Sequence, residues 1–364
     1  MNEKRQKLLD KLCDARRLSG LEIGPLDRPL IEKSSLHSEG EVFYLDHLST
    51  EDLKNKYHSD ATVDVDAIVE VDFVCSDGNF KRILEQRQFD YVVASHVIEH
   101  VPNPISWLQG LFGILKPGGF VFLVVPDKRF TFDYERPVTT FGNLLEAFFD
   151  KRKIPSVANV YDHYSTALKI DGGKVWSGLL DGADVVPLAS KELALETAND
   201  VRNNKNYHDV HVSIFTPWSF FRILEHLIEN EMFLPEVALF RDTEPYEIEF
   251  FVALKKPELE HDELKKKCSA SLPHLGLENI VSPYMPQVRA LSDSLQDITR
   301  AHSELASAFH SHQTMLHDEI EHSKKLRTHA ETLQKMLDRK SVRAALKIAH
   351  LLNSFRRLFG RSSE

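Results

Sequence analysis

The 364-residue sequence predicts a doubly wound α/β domain with a largely parallel sheet, followed by a separate helical extension. Three observations carry this expectation. Short apolar runs alternate with amphipathic stretches up to about residue 256. Each apolar run ends in a polar residue or a chain breaker. Beyond residue 287, apolar residues recur at heptad spacing.

Seven runs read as strands. Arg17–Ile23 ends in Gly24, Glu41–Leu45 in Asp46 and Ala67–Cys75 at Asp77, while Phe89–Ala94 runs into Ser95 and His96. Phe120–Val125 is stopped by Pro126, and Pro235–Phe240 and Tyr246–Leu254 form a closing pair. Between them, Ile31–Leu36, Leu48–Tyr57, Phe80–Gln86 and Ile105–Leu115 read as crossover helices, and Pro217–Glu229 as a helix with proline in its first turn. In open parallel sheets the ligand lies beyond the carboxyl ends of the strands, so Gly24, Asp46, Asp77, Ser95 and His96 are expected to converge on one crevice. The stretch at about 127–215 breaks the alternation with short helical pieces, aromatics and polar residues; connections this long are usually binding elements, and it is assigned to substrate capture as a lid.

Residues 257–286 carry four prolines and read as a linker. Over 287–340, eleven of fifteen a and d positions from Val288 to Leu337 are apolar, which predicts a coiled coil or a long helix folded back on the domain. In 341–364, Val342, Leu346, Leu352 and Phe355 share a helical face opposite Arg343, Lys347, Arg356 and Arg357. Such a basic amphipathic tail suits peripheral contact with an anionic membrane, or packing on a protein partner. A net charge of −10 argues against nucleic-acid binding, and three scattered cysteines exclude a disulfide framework or zinc knuckle. The N-terminus has no apolar signal region, so a cytoplasmic location is expected.

The segment FDYVVASHVIEHVPNPISWLQGLFGILKPGGFVFLVVP, from Phe89 to Pro126, resembles the class I S-adenosylmethionine-dependent methyltransferases. Asp90, Glu99-His100 and Leu115-Lys116-Pro117-Gly118-Gly119 match the family's middle motifs in order and spacing. The resemblance covers about residues 17–256 and implies a seven-stranded Rossmann-like sheet with S-adenosylmethionine as cofactor. It implies that Glu22 helps hold the ammonium group and that Gly24 lets backbone approach the methionine part. Asp46 would accept from the ribose hydroxyls, Asp77 from the adenine amino group with Asp72 as second candidate, and Ser95 and His96 would line the cofactor. The first loop departs from the family by having one glycine, Gly24, where two or three are usual; Leu26 would narrow backbone approach.

If the acceptor is a hydroxyl or amine, a base has to take its proton. His208 and His211 in NYHDVHVSIFTP are the candidate catalytic residues, with His100 and His163 as further histidines in the region. His208, Asp209 and His211 alternate as a strand entering Ser213-Ile214-Phe215 would, with no further ligand cluster evident, so no metal is assigned. The resemblance extends to methyltransferases that accompany bacterial surface-polysaccharide glycosyltransferases. It implies a sugar or glycan hydroxyl as acceptor, glycosyltransferases as partners, and a homo-oligomer formed through the coiled coil. The alternatives are a small-molecule or lipid-linked acceptor, or a non-catalytic methyltransferase-like scaffold.

Overall fold

Alternating side chains on two neighbouring strands set the layers. On β4 (Phe89–Ser95) and β5 (Leu115–Pro126), Val92, Ala94, Val121, Leu123 and Val125 face one core, while Tyr91, Val93, Phe120, Phe122 and Val124 face another. That period of two, apolar on both faces, is what a sheet covered on both sides requires. The computed structural model describes residues 2–258 except 77, 178 and 181–184, then 261–275, 294, 297–305 and 323–359. The chain divides into two units, Met1–Pro283 and Tyr284–Glu364.

The first unit holds a seven-stranded sheet in the order β3-β2-β1-β4-β5-β9-β8, all parallel except β9, which is antiparallel to both its neighbours. Its remaining strands are β1 (Ser19–Ile23), β2 (Glu41–Asp46), β3 (Phe73–Val74), β8 (Glu236–Arg241) and β9 (Glu249–Lys255). Helices α3 (Phe80–Ile83), α4 (Pro104–Ile114) and α9 (Pro217–Glu229) cover one face, and α1 (Asn2–Leu9) the other. Helix α9 begins and ends where the sequence places it, because Thr216 and Ser219 form a capping box and Pro217 occupies the first turn.

Three expectations change. Ile31–Leu36 is not a helix but extended chain with one tight turn at Lys33–Ser35. The Glu22 carboxylate takes the Leu30 and Ile31 amides, and the Tyr44 hydroxyl donates to the Ile31 carbonyl, so the backbone groups a helix would use are engaged elsewhere. Strand β3 shrinks from Ala67–Cys75 to Phe73–Val74, since Asp64 caps a tight turn at Val65–Ala67 and Val69 bonds to Leu26 instead. The linker contains α10 (His261–Ala270), whose Cys268 is fully buried and whose Lys267 pairs with Glu236 at 2.8 Å.

The Lys116–Gly119 stretch is a bulge between the Phe89/Leu115 and Tyr91/Phe120 pairs. Asp90 ties it down, accepting from Lys116 at 2.8 Å and from the Ser19 amide at 3.0 Å. The described residues of the 127–215 insertion form α5 (Phe141–Phe149), α6 (Val157–Thr166), α7 (Gly172–Ser177) and α8 (Lys191–Asn204), with a small β6–β7 pair (Leu168–Lys169 and Val186–Pro187). Its helices bury their own apolar clusters, around Val160 and Val201 and around Phe130 and Val175. Helix α2 (Thr50–Tyr57) completes the unit.

In the second unit, residues 297–305 (α11) are helical and α12 (Ser323–Phe359) runs unbroken through the expected boundary between coil and tail. His302 and Gln334 are hydrogen-bonded at 3.1 Å although 32 residues apart. One straight helix would separate them by about 48 Å, so α11 and α12 lie side by side here and do not form a single rod. The middle of the proposed heptad run, including His312 and Glu319, lies outside the described residues. Among the described residues no helix is long and apolar enough to cross a membrane.

A Cβ on Gly119 would stand 2.9 Å from the Asp90 carbonyl and 3.0 Å from that of Lys116, both fixed backbone. Gly119→Ala is therefore expected to cost about 1–3 kcal/mol, measured by urea denaturation.

Candidate active site

Strand order reverses between β1 and β4, and the loops leaving their carboxyl ends part there to leave a crevice. Gly24, at the end of β1, has φ +65°, and a Cβ on it would come within 3.1 Å of Val97. Leu26 holds φ +50°, so the loop keeps the left-handed turn that a glycine would make more easily. Asp46, at the end of β2, is buried; its Oδ1 accepts from the His47 amide at 2.6 Å and lies 2.6 Å from His47 Nδ1. Its Oδ2 has no partner among the described residues and is available to a ligand.

Glu22 takes a different role from the expected one. Its oxygens accept from Leu30 and Ile31 at 2.7 and 3.1 Å, so it shapes the loop after β1 instead of facing an ammonium group. Burial pushes its carboxyl up to about 7 against the pull of those two amides. Asp77 lies outside the described residues. Asp72, its second candidate, is bound by Lys33 at 2.7 and 2.8 Å and by the Tyr44 amide, and so serves β2.

Ser95 ends β4, and His96 follows with φ +54°. His96 Nε2 lies 2.8 Å from Glu249 Oε2, and Glu249 also receives both Nε and Nη2 of Arg5 at 2.9 and 2.6 Å. An acid among the apolar residues of β9 is the sequence signal for this part-buried triad, of which only Glu249 is fully enclosed. His96 is thereby turned toward β9, beside the crevice end of the sheet.

The histidines divide. His208 binds Asp200 on α8 at 2.7 Å and is not brought together with His100 and His211. Residues 208–212 are extended, so alternate side chains point opposite ways: Val210 packs with α6 and α8, while Asp209 and His211 turn toward His100. His211 is buried, with Nδ1 2.5 Å from Asp133, and Asp133 is paired with Arg136 at 2.7 Å. The His211 amide donates to His163 Nδ1 at 3.3 Å, and burial with nearby Arg136 lowers His163 to about 4, leaving it neutral. His100 Nδ1 lies 2.8 Å from Asp209, whose other oxygen holds Lys56 at 2.5 Å. Burial alone would lower His100, but Asp209 and Glu99 outweigh it and raise its pKa. Glu99, His100 and His211 each offer a ligand atom, all within 4.8 Å of one another. Residues 208, 209 and 211, weighed together as a metal site from sequence, do not form that group.

Residues 4–174 match the family model of a methyltransferase domain. Over that stretch, just under half of the chain, the sequence is similar to a methyltransferase domain. The loop after β1 makes its left-handed turn with one glycine, Gly24, and with Leu26. Gly24, Leu26, Asp46 and Ser95 fit the methyl donor: a close backbone approach at Gly24 and a free carboxylate oxygen at the β2 end. A segment is similar to the mitochondrial ubiquinone biosynthesis O-methyltransferase of Dictyostelium discoideum, 44% identical over 86 residues, 24% of this chain and 25% of that protein. The chain spans about a quarter of the length of the curated relatives it matches. Among solved structures, one described as a putative Zn-dependent alcohol dehydrogenase from Rhodobacter sphaeroides is 14% identical, covering 70% of this chain and 90% of that one at TM-score 0.39. An S-adenosylmethionine-dependent methyltransferase from Methanosarcina mazei is 14% identical, covering 70% and 98% at TM-score 0.36.

Burial opposes ionisation of Glu249, but His96 and Arg5 outweigh it and hold the carboxyl at about 2, down from 4.5. A carboxylate held low contributes its stability above its unfolded value and loses it as pH falls through the folded one. At about 1.4 kcal/mol for each pH unit, the contribution is on the order of 3 kcal/mol, lost between pH 4.5 and 2. Glu249→Gln is expected to destabilise the protein at pH 7 and to remove that part of its acid sensitivity, read from denaturation curves at pH 7 and pH 3.

Proposed function

We propose that this protein transfers a methyl group from S-adenosylmethionine to an oxygen acceptor. The observation that carries the reading is the gathering of Gly24, Asp46 and Ser95 at one end of the sheet, on either side of the β1/β4 reversal. The donor supplies an electrophilic methyl on a sulfonium, displaced in line. Gly24 and Leu26 bring backbone against it, Asp46 accepts from its sugar hydroxyls, and the 127–215 insertion shields the acceptor side from water. A hydroxyl acceptor must also give up its proton, and the buried group around His100, His211 and Asp133 is where that charge is handled.

For the acceptor, the favoured reading is a hydroxyl of a sugar or glycan intermediate in bacterial surface-polysaccharide assembly. A phenolic hydroxyl is the second reading, favoured by the similarity of one segment to ubiquinone O-methyltransferases. Titration calorimetry with S-adenosylmethionine is expected to show one site, weakened about 10–100-fold by Asp46→Ala through loss of a charge-assisted hydrogen bond. Absence of binding at millimolar donor would leave the scaffold reading. Methyl transfer to a panel of nucleotide sugars, short glycans and catechols distinguishes the acceptors, and His211→Asn is expected to lower kcat at least about 10²-fold.

We also propose a peripheral and oligomerising role for the second unit, in the cytoplasm and beside glycosyltransferase partners. Leu346, Leu351 and Leu352 are all more than half exposed on α12, near the exposed cations Arg343 and Lys347. Because α10 packs on the first unit, the informative truncation ends at Pro283, not near Pro257. That shorter chain is expected to be monomeric and to stay in the supernatant with anionic vesicles at low salt, while the full chain self-associates and sediments.

A further inference from the structure

Glu99 is 1% exposed; neither carboxylate oxygen has a hydrogen-bond partner, and His96 Nδ1 comes only within 3.7 Å of Oε1. An ionised carboxylate left this way is costly, so such groups are normally paired or coordinate a cation. Two histidines stand beside it. His211 Nδ1 is hydrogen-bonded to Asp133 at 2.5 Å, while His100 Nδ1 lies 2.8 Å from Asp209 without hydrogen-bond alignment. A carboxylate on one imidazole nitrogen fixes the ring and makes the other nitrogen a better ligand, the usual surroundings of a metal-bound histidine.

We propose that Glu99, His100 and His211 form a binding site for a divalent transition-metal ion. The three ligand atoms lie within 4.8 Å of one another; bonds of about 2.0–2.2 Å to one ion draw such atoms to within about 4.4 Å, a closure of a few tenths of an ångström that side-chain torsions supply. Two imidazoles and one carboxylate select ions such as Zn²⁺, Mn²⁺ or Fe²⁺ over Mg²⁺ and Ca²⁺, which prefer all-oxygen shells, and leave coordination positions open. The backbone holds the ligands in register: the Val212 and Ser213 amides both donate to the Glu99 carbonyl, at 2.6 and 3.0 Å, clamping the two ligand-bearing segments together. The ring of Phe132, 4.6 Å from that of His211, closes one side. Resting on the methyl-transfer reading, the open positions would take the acceptor oxygen, whose proton becomes easier to lose once the oxygen is bound to a cation.

The test uses the full chain, stripped with a chelator and without S-adenosylmethionine, so that failure of donor binding and failure of the metal site are read separately. Calorimetric titration with Zn²⁺ and with Mn²⁺ is expected to give one saturable equivalent, unaffected by millimolar Mg²⁺, and elemental analysis after dialysis to recover one ion per chain. Glu99→Gln is expected to weaken binding at least about 100-fold while the protein stays folded, since it removes a buried charge. Asp133→Asn, which disturbs only the support of His211, should weaken it about 10–100-fold. His208→Asn should leave it unchanged. No stoichiometric binding by the unsubstituted protein, or equal affinity in Glu99→Gln, would overturn the site whatever the fate of the other variants.

Discussion

The seam between β1 and β4 is the constraint on which the rest depends. Gly20 lies under the Tyr91 ring, so close that a Cβ there would fall 2.0 Å from it, and the Tyr91 hydroxyl reaches on to the Ala15 carbonyl at 3.0 Å. Only a glycine on β1 lets the fully buried tyrosine of β4 lie flat across the sheet. That contact fixes the register in which Glu22 stands opposite Val93 and Ile23 opposite Ala94. Because the chain winds outward in both directions from this pair, the loops after β1 and β4 diverge and a crevice is unavoidable.

Around the crevice the protein departs from an oily core. Asp127, Arg129, Asp133 and Arg136 are all nearly or fully buried, yet each is paired: Arg129 binds Asp127 in two places, and Thr243 donates to the same carboxylate. Lys128 is buried among them, donates to the Tyr134 carbonyl, and is lowered by burial to about 8. Breaking any such pair strands a charge, so these contacts specify where the insertion docks more than they add stability. The insertion is thus anchored by polar geometry at its base and by small apolar clusters farther out.

Most of the sheet was legible because its signal is local. Val, Phe and Leu at every second position of β5, and the Thr216–Ser219 capping box before α9, say what they form without reference to the rest of the chain. The loop after β1 was not legible: a glutamate on the preceding strand captures its amides, and nothing within 25–36 announces it. Helix α10 was hidden by the prolines around it, although Leu264 and Cys268 stand one turn apart on one face. In the site, Gly24 and Asp46 followed from strand ends, whereas the pairing of His211 with Asp133 spans 78 residues and comes only from the fold. His208 and His211 looked equivalent in sequence; an extended backbone sends them to opposite sides.

Leu26 shows how little a signature of glycines says about the path of the loop that follows a first strand. A side-chain-bearing residue held at φ +50° costs on the order of 1–2 kcal/mol relative to glycine, and here the surrounding contacts impose it, with the Leu26 carbonyl engaged by the Val69 amide. The shape of the turn therefore belongs to its neighbours and not to its own composition. A reading keyed to repeated glycines alone passes over this loop, whereas the acid that ends the second strand and the Lys-Pro-Gly-Gly run at the start of the fifth are visible in the sequence.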